Sequence, residues 1–207
     1  VLEVKDLSFG YSLGRKILNQ INLTSHAGEV VYIKGSNGRG KSTFIKILGG
    51  LLRPLEGTVF WTENKVQVLP YHTCEYLAAE HNGLNDELTA LDNLQFWPSL
   101  KGAKSSPEEI QLVLETWGLS GKLVQSSLTI SRFSTGMKRR LALARVCLSN
   151  SRILLLDEPT YGLDTQGLTV LKDMIKKHQD KNGLTLLVSH EPGELSKLFT
   201  NTVDLAQ

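Results

Sequence analysis

Eight consecutive residues, Gly35-Ser36-Asn37-Gly38-Arg39-Gly40-Lys41-Ser42, combine glycines, a lysine and a hydroxyl in an order suited to holding a polyphosphate. Glycines let a chain curl closely around an anion while successive backbone N–H groups point inward. Lys41 would reach the β- and γ-phosphates as a mobile point charge, and the Ser42 hydroxyl would complete the coordination of Mg²⁺, an ion that commonly keeps several waters. This chemistry needs a strand that delivers the loop and a helix whose positive N-terminal end faces the anion. The apolar run Val30-Val31-Tyr32-Ile33 supplies the first, and Thr43-Phe44-Ile45-Lys46-Ile47-Leu48 reads as the second.

Three further groups of residues suit the same anion. Ile153-Leu154-Leu155-Leu156-Asp157-Glu158 ends a buried-strand pattern on two adjacent carboxylates, and in open α/β sheets ligands bind outside the carboxyl ends of strands. Asp157 would hold Mg²⁺, often through a water, while Glu158 would polarise the water attacking the γ-phosphate. Leu187-Val188-Ser189-His190 repeats this geometry with a histidine. Its imidazole either hydrogen-bonds the γ-phosphate or serves the fold. His26, His72, His81 and His178 share no spacing that would make a metal site. Phe133-Ser134-Thr135-Gly136-Met137-Lys138-Arg139-Arg140 leads into Leu141–Val146, a good helix former with serine and glycine at its start. That is a second anion site, and one chain needs two only if the second serves a nucleotide held by another copy. Lys138 and Arg139 read as a solvated basic helix face. Tyr11, upstream of the phosphate loop, is either a ring that stacks on adenine or a turn tyrosine.

The elements that must position these groups alternate along the chain. Val1 to Phe9 and Ile17 to Leu23 read as an antiparallel hairpin and Thr58–Trp61 as a further strand, with Val66–Leu69 another short apolar run. Gly49-Gly50 stops the helix after the phosphate loop. From about Tyr76 to Asn150 the periodicity turns helical, which reads as an insertion into a single domain spanning 1–207. Strand Arg152–Leu156, helix Thr169–Gln179, strand Leu184–Val188 and a short helix Glu194–Phe199 close the chain. Such alternation predicts an α/β fold with a mainly parallel sheet covered on both faces.

Composition excludes more than it selects. With 207 residues, 41% hydrophobic and 21% charged, the chain can bury a sizeable core as an ordinary soluble globular protein. Its net charge of +2 points to no nucleic-acid partner. Two distant cysteines, Cys74 and Cys147, argue against a disulfide framework or a metal ribbon. No run reaches the roughly 20 apolar residues that cross a bilayer, and the N-terminus lacks the plan of a secretory signal.

The order GSNGRGKS, FSTGMKRR, ILLLDEP, YGLD and a late SH resembles the nucleotide-binding subunits of ATP-binding cassette (ABC) transporters over nearly the whole chain. The resemblance implies the ABC-ATPase variant of the phosphate-loop fold, with an N-terminal antiparallel β subdomain and a helical insertion carrying a signature loop. It implies a homodimer in which two copies sandwich Mg-ATP, so that Ser134 and Gly136 act on the partner's nucleotide and Asp164 lies in the loop crossing the interface. Tyr11 matches the adenine-stacking aromatic and His190 the switch histidine. Gly35 to Thr43 match the phosphate loop, with Lys41, Glu158 and His190 in catalysis. A narrower segment, Asn82-Gly83-Leu84-Asn85-Asp86-Glu87-Leu88-Thr89-Ala90-Leu91-Asp92-Asn93-Leu94, is similar to the CcmA family of cytochrome c maturation haem exporters. That likeness implies haem as cargo, membrane subunits resembling CcmB and CcmC, and a place at the cytoplasmic face of the inner membrane. LTALDNL-like text also occurs in drug, lipid and polysaccharide exporters, and a soluble cassette protein without a permease is a further alternative.

The chain departs from the family pattern at several positions. Glu80 stands where the family usually has a glutamine, and it would still meet Mg²⁺ at the cost of added negative charge near the phosphates. In the signature, Phe133 replaces leucine, Thr135 replaces glycine or alanine, and Met137 replaces glutamine.

Overall fold

The computed structural model describes residues 1–12, 14–63, 66–69, 74–78, 82–100, 104–119, 121 and 128–205. In chain order the elements are β1 (Leu2–Phe9), β2 (Leu18–Ser25), β3 (Val30–Lys34), α1 (Lys41–Leu48), β4 (Glu56–Glu63), β5 (Val66–Val68) and β6 (Cys74–Leu77). There follow α2 (Ala90–Leu100), α3 (Pro107–Thr116), α4 (Thr135–Leu148), β7 (Ile153–Asp157), α5 (Thr165–Asp180), β8 (Leu184–Val188) and β9 (Asn201–Asp204). Short 3₁₀ turns occupy Ile130–Arg132 and Gly193–Leu198. The chain divides into two compact units, one of residues 1–76, 151–159 and 175–207, the other of 77–150 and 160–174.

The first unit holds two sheets. The antiparallel sheet runs β2-β1-β4-β5, and the second runs β6-β7-β8-β3-β9. In the latter, β7 pairs with β8, β8 with β3, and β3 with β9, all in parallel. In β1, Leu2 and Val4 face inward, but so do Leu7 and Phe9, which breaks the alternation. A register shift between Val4 and Leu7 restores the phase, with Asp6 in the left-handed region at φ 50°. Gly57 on β4 fits against that irregularity because a Cβ there would lie 2.4 Å from the Lys5 carbonyl oxygen. Five-residue strands buried throughout, such as β7 and β8, are what a parallel sheet covered on both faces requires. Phe44, Ile45, Ile47 and Leu48 of α1 join the same core as Val31, Ile33, Leu155 and Leu186. Each such side chain contributes about 1.5–3 kcal/mol on burial.

Two strands depart from the sequence expectation. Cys74–Leu77 and Asn201–Asp204 are short edge-adjacent strands without clean alternation, and in β9 only Val203 is buried. Their pairing is set by the neighbouring strand rather than by their own pattern. The helix expected over 169–179 begins earlier, at Thr165, and the short helix expected over 194–199 is a 3₁₀ turn.

His178 closes the amino-terminal edge of this sheet. Its Nδ1 lies 3.0 Å from the Thr185 hydroxyl and its Nε2 lies 3.1 Å from the Ser151 carbonyl oxygen. Gly183 makes room for the ring, since a Cβ there would fall 2.2 Å from Nε2. Burial holds the imidazole pKa below its ordinary value, against the raising effect of the Ser151 carbonyl and with help from the charge of Lys181.

The second unit packs α4 against α2 and α3. A capping box starts α3, where Ser106 accepts from the Glu109 N–H and Glu109 returns a bond to the Ser106 N–H. Buried Asn93 on α2 organises the segment before it. Its Oδ1 accepts from the Asn85 N–H at 2.8 Å, and its Nδ2 donates to the Asn85 and Thr89 carbonyls at 3.0 and 2.9 Å. Thr89 caps the helix, accepting from the Asp92 N–H at 3.1 Å. Among the described residues no helix is long and apolar enough to cross a membrane.

Two measurements check this account. Asn93→Ala should lower the unfolding free energy by about 1–3 kcal/mol, because the Asn85 N–H loses its partner and the Asn85 and Thr89 carbonyls each lose one of two donors; an unchanged urea midpoint would refute the organising role. For His178, a folded pKa below the unfolded value near 6.5 means that its stability contribution is present above that pH. The contribution is lost as pH falls through the folded pKa. Urea unfolding at pH 7.5 and 5.5 should therefore show a larger acid loss in the natural chain than in His178→Gln, and equal losses would contradict it.

Candidate active site

The phosphate loop lies between the end of β3 and the start of α1. Gly38 and Gly40 take left-handed backbone angles, φ 76° and 82°, which glycine adopts without a Cβ penalty. A Cβ on Gly40 would also come 3.0 Å from Leu18 Cδ2, so that side chain would have to give way. Lys41 is only 8% exposed, and its Nζ donates to the carbonyls of Gly35 at 2.7 Å and Ser36 at 3.2 Å. The ammonium thus braces the loop from inside. Ser36, Asn37, Gly38, Arg39 and Ser42 are exposed, while Thr43 is buried.

Tyr11 sits against the same helix start. Its hydroxyl is 3.1 Å from Thr43 Oγ1, and its ring meets Phe9 edge-on, with centroids 5.1 Å apart. The ring is nevertheless 68% exposed. It borders an open cleft of about 650 Å³ that Gly10, Arg15, Lys16 and Leu55 also line.

Parallel register brings the acidic strand end to the same rim. Asp157 is paired across the sheet with Val188, and Val188 with Ile33, two residues before Gly35. Asp157 is 5% exposed. Glu158 follows in the left-handed region at φ 49°, an unusual conformation for a side chain of this size. Two contacts hold it there: its N–H donates to the Val188 carbonyl at 2.9 Å, and its Oε2 accepts from the His190 N–H at 3.1 Å. The His190 ring is half-exposed, with Nε2 3.5 Å from Glu158 Oε1. The sheet therefore brings together the loop, Asp157, Glu158 and His190.

Tyr32 is a member of this group that the sequence reading passed over as strand filler. Its hydroxyl donates to the Ser189 carbonyl at 2.9 Å, and its ring stacks on Phe199 with centroids 4.7 Å apart and planes within 5°. Burial, and then the charge of Glu158, hold the phenol pKa above its ordinary value. An aromatic in the strand leading into the phosphate loop was the available signal.

The signature residues belong to the second unit. Ser134 is the N-cap of α4, its Oγ accepting from the Met137 N–H at 3.2 Å, which leaves the O–H free to donate elsewhere. Gly136 lies in the first turn, where a Cβ would approach the Gly162 carbonyl oxygen to 3.4 Å. Asp164 accepts from the Gly167 N–H at 2.9 Å and pairs with Arg140. These contacts, the Gly167 bond foremost, hold its carboxyl below the usual carboxylate range.

The expected solvated basic face on α4 is corrected at Arg139. That side chain is 2% exposed and donates to the Ala78 carbonyl at 2.7 Å and to Asn82 Oδ1 at 3.2 Å. A guanidinium can be buried where fixed oxygens meet its fork. Lys138 is likewise paired, with Asp86 at 2.6 Å. Glu80 lies outside the described residues.

The donors present fit Mg²⁺. Ser42 and Asp157 offer hard oxygens beside a phosphate cradle, and Mg²⁺ is held in nucleotide sites by one or two such groups plus phosphates and water. Among the described residues no cluster of three His, Cys, Asp or Glu side chains would hold a metal without a ligand's help.

Comparison with known proteins agrees with this geometry. Residues 18–161 match the ABC transporter family. The cytochrome c biogenesis ATP-binding export protein CcmA of Bordetella bronchiseptica is 38% identical over 188 residues, covering 89% of this chain and 82% of that protein. CcmA of Vibrio cholerae is 33% identical over 193 residues, covering 92% and 91%. Among solved structures, an ATP-binding subunit of an ABC transporter superposes with a TM-score of 0.80 at 26% identity, covering 99% of this chain and 85% of that chain. A dimeric bacterial ABC transporter cassette shares the fold, with a TM-score of 0.82 at 23% identity over 99% of this chain and 95% of that one. The chain belongs to the ABC transporter family, as an ATP-binding subunit of the kind that CcmA represents.

Proposed function

We propose that this ABC ATPase powers haem export or release for c-type cytochrome biogenesis, with membrane subunits resembling CcmB and CcmC, at the cytoplasmic face of the inner membrane. The observation that carries the assignment of cargo is the 33% to 38% identity, across most of both chains, to proteins named cytochrome c biogenesis ATP-binding export proteins.

The chemistry of turnover follows from the rim of the parallel sheet. Loop amides and Lys41 stabilise negative charge on the phosphates, an electrostatic term that needs no reorganisation because the loop is already braced. Ser42 and Asp157 would hold Mg²⁺, which would supply positive charge against the phosphates. Glu158 accepts the proton of the attacking water, and His190 hydrogen-bonds the γ-phosphate beside it. Tyr11 stacks on the adenine. Ser134 and Gly136 act on the nucleotide of a second copy, since the Ser134 O–H and the start of α4 together make an anion-binding surface.

Glu158→Gln tests the base. Turnover should fall at least about 100-fold with ATP affinity retained, and ATP should trap a dimer visible by size-exclusion chromatography. Unimpaired hydrolysis would remove Glu158 from the role. Cargo is tested by affinity purification from solubilised membranes, followed by mass spectrometry. Recovery of CcmB- and CcmC-like proteins is expected; a drug, lipid or polysaccharide permease in their place would sink the haem reading.

A further inference from the structure

A single peptide group connects Tyr32 to Glu158. The Ser189 carbonyl accepts from the Tyr32 hydroxyl at 2.9 Å, and the N–H of the same peptide, belonging to His190, donates to Glu158 Oε2 at 3.1 Å. A peptide unit is planar, so a donor fixed on its oxygen also fixes the direction of its N–H. Hydrogen bonds in series polarise one another, and the phenol therefore strengthens the N–H as a donor to the carboxylate. From this geometry we infer that Tyr32 is a positioning residue for hydrolysis, acting through the Ser189–His190 peptide to orient the Glu158 carboxylate.

The chain of bonds is held at both ends. Phe199 stacks flat on the Tyr32 ring, which limits its rotation and aims the hydroxyl. Tyr32 lies on β3, which pairs with β8, and Leu187 of β8 is its partner two residues before Ser189. The phenol pKa lies above its ordinary value through burial and the charge of Glu158, so the hydroxyl stays a donor throughout the working pH range. At the other end, the Val188 carbonyl fixes the Glu158 backbone in its left-handed conformation. Tyr32 thus acts through Glu158, the group that does the proton transfer.

The inference rests on Glu158 being the general base, and the experiment separates the two. Tyr32→Phe removes one oxygen and keeps the ring stack. Its kcat should fall about fivefold while the ATP Kd stays within about twofold. The loss should fall on kcat and not on ATP binding, because the carboxylate is turned away while the nucleotide contacts are untouched. A variant that merely loosened the fold would lower the urea midpoint and weaken ATP binding together with kcat, whereas the positioning role leaves both within error of the natural chain. Phe199→Leu, which frees the ring but keeps the hydroxyl, should produce the same pattern more weakly. An unchanged kcat in Tyr32→Phe, alongside an inactive Glu158→Gln, overturns the positioning role alone. An active Glu158→Gln overturns both.

Discussion

Parallel pairing of β7, β8 and β3 is the constraint on which the site depends. A parallel ladder keeps every carboxyl end on one edge, and its register sets Ile33, Val188 and Asp157 abreast. Each strand then releases its functional group within one or two residues: the loop after Lys34, Glu158 after Asp157, and His190 after Ser189. A slip of one residue in β7 would turn every side chain over and bury Glu158 in place of Asp157. Because β7 and β8 are buried on both faces, their apolar run does not fix that register by itself; the polar residues at their carboxyl ends, which a slip would carry into the core, do.

Within this frame, the reactive groups are restrained by hydrogen bonds within the chain. Lys41 is tied to two carbonyls of its own loop, and Glu158 to a neighbouring carbonyl and a neighbouring N–H. The left-handed backbone at Glu158 costs of order 1–3 kcal/mol. Its persistence shows that the surroundings over-determine it, as expected where orientation matters more than stability.

The charged residues of α4 illustrate how position overrides residue type. Lys138, Arg139 and Arg140 form a basic run in sequence, yet each has a different oxygen to meet: Asp86, the Ala78 carbonyl with Asn82, and Asp164. Much of the Asn82–Leu94 text that resembles CcmA has a similar structural use. Asn85, Thr89, Asp92 and Asn93 build the turn and cap that start α2. These four residues therefore serve the fold of the chain.

Much of this protein was legible from its residues in order. Glycines around a lysine after an apolar run specify a phosphate loop because few other sequences allow the left-handed turns at Gly38 and Gly40. Apolar runs ending in Asp157-Glu158 and in Ser189-His190 specify buried parallel strands with polar ends, whatever their order in the sheet. Three things were not legible. The strands β6 and β9 are too short and irregular to announce themselves, since the sheet edge recruits them. The burial of Arg139 depends on carbonyl oxygens 61 residues away in the chain. The link from Tyr32 through Ser189 to Glu158 joins residues separated by 157 positions. Local pattern determined which chemistry the chain carries, because periodicity and glycine placement act over a few residues. Tertiary structure alone decided which partners orient that chemistry, because hydrogen bonds between distant residues are set by strand register, which no short stretch encodes.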